Sequence, residues 1–77
     1  SLTYILHHIA KKEKVEATDA ELEAELAKVM ARLNTEEEKV KGRELFEKRK
    51  EYIRASMVES KTMALVKERA VIKEENN

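Results

Sequence analysis

Two short segments, Thr18-Asp19-Ala20-Glu21 and Thr35-Glu36-Glu37-Glu38, restrict what this chain can fold into more than anything else in it. Each is a capping box. The threonine hydroxyl accepts from the backbone N–H three residues on, and the glutamate carboxylate accepts in turn from the threonine N–H. One helix must therefore start near Asp19 and another near Glu36. Composition does little to interrupt helix elsewhere, since proline is absent and Gly42 is the only glycine. A glycine inside a helix costs ~1 kcal/mol relative to alanine.

Apolar spacing fills in the elements. Leu22, Leu26, Val29, Met30 and Leu33 recur at helical intervals, opposite Glu21, Glu25, Lys28 and Arg32, and predict a helix over 19–33. Ahead of it, Leu2, Ile5, Leu6 and Ile9 form the stripe of a helix over 2–14. Its last turn holds Lys11, Lys12 and Lys14, cations that complement the helix dipole, and residues 15–17 make the turn. The third helix, from about Glu36, carries Val40, Leu45 and Phe46. Its pairs Glu37 with Lys41 and Glu44 with Lys48 are worth ~0.3–0.5 kcal/mol each. It either ends near Lys48 or runs straight on, because no cap signal separates it from a long final stripe of Ile53, Met57, Val58, Ala64, Leu65, Val71 and Ile72. Residues 73–77 are polar and are expected to fray. The fold class is all-α: three to four amphipathic helices forming antiparallel hairpins with a long C-terminal helix, one helical module over 1–77.

A chain of 77 residues buries a marginal core unless it packs ideally or finds a partner. Because it begins with Ser rather than Met, it is read as a piece of a longer protein. Sixteen basic side chains balance sixteen acidic ones, so no net field draws the chain to nucleic acid or to an anionic membrane. The halves differ, with net −4 over 1–38 and net +4 over 39–77, an asymmetry that suits packing of one hairpin on the other. With no cysteine there is no disulfide framework, which fits a reducing cytosol. The longest apolar run is too short to cross a bilayer, and no signal peptide is visible.

Residues with chemical potential are few. His7 and His8 are adjacent, so on a helix they point ~100° apart and cannot chelate one ion from one face. A surface histidine beside a partly buried one is the expectation, with no metal and no cofactor. Lys48-Arg49-Lys50, flanked by Lys39, Lys41, Arg43 and Arg54, is the one basic concentration. Glu44, Glu47 and Glu51 interleave with it, which favours a solvated helix face over a nucleic-acid surface. Thr3, Ser56, Ser60 and Thr62 lack a base and orienting acid at any motif spacing, so no enzyme chemistry is expected. Apolar surface remains, softened by the flexible Met30, Met57 and Met63.

A helix ending in Ile9-Ala10-Lys11-Lys12-Glu13, the turn Val15-Glu16-Ala17-Thr18, and then Asp19-Ala20-Glu21-Leu22-Glu23-Ala24-Glu25-Leu26 together resemble the C-terminal domain of trigger factor, the bacterial ribosome-associated chaperone family. The likeness continues from Tyr52-Ile53-Arg54-Ala55-Ser56-Met57 to Ile72 and covers nearly the whole chain. It implies an all-helical, two-armed, cytoplasmic chaperone module that holds unfolded or nascent polypeptides on apolar patches without ATP. Ribosome binding and prolyl isomerisation would belong to domains outside this chain. The isomerase needs an aromatic-rich pocket on a sheet, whereas Tyr4, Phe46 and Tyr52 are all the aromatics here. The family's client patch at an arm tip falls on Val29 or Met30, Leu33 and Val40. Leu33 stands where the family often has an aromatic, Glu36 lies near a frequent proline, and the stretch after the tip is shorter by about one helical turn. On this reading Leu33 faces solvent and Leu26 is core. The rival readings are a dimerisation or scaffold module, with self-association through the stripe of Leu2, Ile5, Leu6 and Ile9, and a basic nucleic-acid-binding module.

Overall fold

The computed structural model describes residues 1–75, with side chains through Ala70. Among these there are four helices and no strand: α1 (Leu2–Glu13), α2 (Asp19–Ala31), α3 (Glu36–Lys48) and α4 (Lys50–Glu75). The all-α expectation is met, and both capping boxes form. Thr18 Oγ1 accepts from the Glu21 N–H at 3.1 Å while the Thr18 N–H donates to Glu21 Oε1 at 2.9 Å. Thr35 and Glu38 repeat the exchange at 3.1 and 3.0 Å, and the Asn34 N–H donates to the same Glu38 oxygen. At the start of α1 the Ser1 hydroxyl accepts from the Tyr4 N–H, a cap the apolar stripe did not announce.

Helix ends depart from the sequence reading. α1 stops at Glu13, because Lys14 turns into the left-handed region at φ 56°, ψ 42°. The Val15 N–H then bonds the Ala10 carbonyl at 2.9 Å and the Lys14 N–H bonds that of Lys11, a Schellman closure with lysine where glycine is usual. α2 stops at Ala31 rather than Leu33. Its last N–H groups, of Arg32 and Leu33, bond the carbonyls of Val29 and Met30 in a tightened final turn. α3 and α4 are separate, but only just, since Arg49 alone leaves helical geometry (φ −103°, ψ 12°). The Arg49 N–H still bonds the Leu45 carbonyl and its own carbonyl still accepts from Ile53, so the ladder is hardly broken. Of the segment expected to fray, residues 73–75 are helical as the end of α4, and residues 76 and 77 lie outside the described residues. So do the side chains of Val71 and Ile72.

The chain divides into two compact units. The first consists of Ser1–Glu16 and the residues from Ser56 onward. Leu6, Ala10 and Thr62 are buried in it, with Ile9, Met57, Val58, Met63, Leu65 and Val66 half-buried. Thr62 is fully enclosed, its hydroxyl donating to the Val58 carbonyl one turn back, which satisfies the polar group without a partner from another element. Arg69 pairs with Glu13 at 2.6 Å, and the Lys61 ammonium donates to the Glu16 carbonyl. Leu2 and Ile5, expected in the stripe, are 59% and 53% exposed.

The second unit, Ala17–Ala55, is the α2–α3 hairpin with the first turns of α4. Ala17, Leu22 and Phe46 are its buried apolar residues, and Leu26 is half-buried rather than enclosed. Arg54 closes the unit. Its guanidinium donates to the Ala17 carbonyl at 2.6 Å and to Asp19 Oδ1 at 2.8 Å, tying α4 to the start of α2.

Candidate functional site

The hairpin tip, where α2 ends and α3 begins, carries the four apolar residues singled out by sequence. Met30 and Leu33 are half-buried; Val29 and Val40 are 39% and 50% exposed. What brings Met30 and Leu33 together is Gly42. A Cβ on Gly42 would lie 2.8 Å from Leu33 Cδ1 and 3.1 Å from Met30 Cε, so the bare α3 backbone is the floor on which both side chains rest. The glycine that weakens α3 by propensity is thus what lets α2 close on it. A lone glycine among strong helix formers was the available signal, and its partners were not legible.

Val29 is turned ~100° around α2 from Met30, and Val40 ~200° around α3 from Gly42. Val40 therefore lies on the side of α3 away from the Gly42 contact. The tip presents a seated pair, Met30 and Leu33, together with two valines pointing elsewhere into solvent. Seated side chains whose far ends can move, beside exposed branched ones, suit apolar contact without directional chemistry.

Further along the same unit Leu45 and Tyr52 are 60% and 65% exposed, with the Arg49 guanidinium 4.8 Å over the Tyr52 ring. In the first unit, an open groove has Ala10, Val15 and Val58 as its apolar lining. His7 and His8 are both exposed, where one was expected to be partly buried. No group of three or more His, Cys, Asp or Glu that could hold a metal ion occurs among the described residues.

Electrostatics here is structural. A hydrogen bond from Arg69 holds the Glu13 carboxyl below its ordinary value, and one from Arg54 does the same to Asp19. Backbone N–H groups of Asn34 and Thr35 lower Glu38. Each shift follows from a contact that fastens a helix end, and none belongs to a poised acid or base.

Residues 1–68 match the family model described as the C-terminus of bacterial trigger factor protein. Over 68 residues the chain is 43% identical to a protein named Trigger factor from Caldicellulosiruptor saccharolyticus, a match covering 88% of this chain. The match spans 15% of that relative's length. No solved structure matches the chain.

Proposed function

This chain belongs to the bacterial trigger factor C-terminal family, and we propose that it is a holding module: it binds exposed apolar segments of nascent or unfolded polypeptides at the α2–α3 tip, through Val29, Met30, Leu33 and Val40. The observation that carries this reading is the accessibility of all four, two exposed and two half-buried, at the end of a hairpin whose core is supplied by other residues, Leu22 and Phe46. Binding of this kind is an equilibrium contact that needs neither nucleotide nor cofactor, and the chain contributes no catalysis to it. A cytoplasmic setting is proposed from the family. Among the described residues no helix is long and apolar enough to cross a membrane. Ribosome attachment and prolyl isomerisation are assigned to other parts of full-length relatives.

The test is a double substitution, Val29→Ser with Val40→Ser. Both side chains face solvent, so the melting temperature should stay within a few degrees. Affinity for a permanently unfolded, carboxymethylated polypeptide, measured by fluorescence anisotropy, should fall roughly tenfold. Unchanged affinity would remove the tip from client binding. Self-association is a second reading with an observation of its own: Leu2, Tyr4 and Ile5 are exposed on a segment of α1 with no Asp, Glu, Lys or Arg between Ser1 and His8.

A further inference from the structure

Of the four apolar residues at the tip, Val29 and Val40 are exposed while Met30 and Leu33 are half-buried, and the difference lies in Gly42. Leu33 Cδ1 and Met30 Cε lie 2.8 and 3.1 Å from where a Cβ on Gly42 would stand, closer than a side chain at that position would ordinarily allow. An alanine there would still support both, and would spare α3 the ~1 kcal/mol that a helical glycine costs. What the glycine adds is depth, a place where two apolar ends lie against bare backbone. The main chain that carries them is fastened. The Leu33 N–H bonds the Met30 carbonyl at 3.1 Å, and the Asn34 and Thr35 N–H groups both donate to Glu38 Oε1. A change in how far the pair projects is therefore a change of side-chain rotamer, with no helix to unwind.

We propose that Gly42 is a positioning residue that keeps the tip closed at rest: Met30 and Leu33 lie down on α3 between clients and lift from Gly42 to meet an apolar segment. The inference rests on the tip being the client site, and adds a gate to it. While closed, the pair takes apolar area out of water at the end of the hairpin, which limits contact between free copies. Once lifted, its far ends project, and the flexible thioether of Met30 adapts to the shape it meets. Only the lifted fraction is competent, so the observed affinity is the intrinsic one reduced by that fraction. A methyl group on Gly42 tilts the balance toward the lifted state, because both atoms it would meet are free ends of side chains that can turn away. Filling this space should thus strengthen binding, whereas a defect in packing would weaken it.

The experiment compares the full chain with Gly42→Ala, a change that also favours helix. Hydrogen peroxide oxidises accessible methionine thioethers, and Met57 and Met63, half-buried in the other compact unit, serve as internal controls. Followed by mass spectrometry, Met30 should oxidise roughly threefold faster in Gly42→Ala, with Met57 and Met63 unchanged and helicity equal or higher. A carboxymethylated, permanently unfolded polypeptide should bind roughly threefold tighter, the gain lying in the association rate. A purely structural glycine would move all three methionines together or none. An unchanged Met30 rate, or a faster one with client affinity equal or lower, overturns the gate. Lost helicity in Gly42→Ala would make the glycine a requirement of packing and overturn it as well. Val29→Ser with Val40→Ser, measured alongside, separates the two ways of failing. If the serine pair loses affinity while Gly42→Ala gains none, the tip binds clients without a gate; if neither variant alters affinity, the tip is not the client site and the gate falls with it.

Discussion

Lys14 and Gly42 occupy each other's expected roles. At φ 56° the Lys14 Cβ crowds its own backbone, a penalty glycine would escape, whereas Gly42 sits in a helix interior that favours any other residue. Both exceptions have local reasons: Lys14 places a cation at the groove rim, and Gly42 leaves room for Leu33 Cδ1 and Met30 Cε. Lys14→Gly should therefore stabilise the protein by about 0.5–1 kcal/mol, read as a higher midpoint in chemical denaturation. A midpoint that falls would mean that the lysine stem packs on α1 more than its exposure suggests. The helical glycine was visible in the sequence, but neither its contacts nor the left-handed lysine could be read beforehand. A capping residue announces itself by hydroxyl and spacing, but a left-handed lysine looks like any other lysine in a last turn. Thr62 is similar: its complete burial goes with a hydroxyl turning back to Val58, which periodicity does not encode.

The helices themselves were largely legible, because their starts are written in side chains and their stops are not. Thr18 with Glu21 and Thr35 with Glu38 fixed two N-termini to the residue. The C-termini of α1 and α2 fell one and two residues short of the sequence reading, and the α3–α4 break rests on Arg49 alone, flanked by intact hydrogen bonds. Of the tip, the residues could be named but not their division into a seated pair and two outward valines, which depends on how Gly42 meets α2. Contacts at the helix ends also set the response to acid. Glu38, Asp19 and Glu13 titrate below their ordinary values when folded, so their stabilisation is fully present above the unfolded carboxylate range, about pH 4. It is lost as pH falls through the lower folded values. Stability measured by denaturation should thus be level from neutral pH to about pH 5 and decline below it. Thr35→Ala, which removes the hydroxyl accepting from Glu38, should cost about 1 kcal/mol at neutral pH.

At the scale of the molecule, apolar surface outruns core. Among the described residues Leu6, Ala10, Ala17, Leu22 and Phe46 are the buried apolar ones, while the large side chains of Leu2, Tyr4, Ile5, Val29, Val40, Leu45 and Tyr52 are exposed. Leu2→Ser with Ile5→Ser should leave helicity unchanged and reduce association at high concentration, as followed by sedimentation; association that persists would shift the contact to Leu45 and Tyr52. The contacts that hold the first turn region are also distant in sequence. Arg54 reaches back 37 residues to Ala17, Lys61 reaches 45 to Glu16, and Arg69 reaches 56 to Glu13. The α2–α3 hairpin, by contrast, closes over a short loop, and short loops close first. During synthesis, then, the carbonyls of Glu16 and Ala17 stay bonded to water until α4 has left the ribosomal tunnel. Of these four helices α1 is expected to settle last, and a chain cut before Arg54 leaves those two carbonyls without their cations.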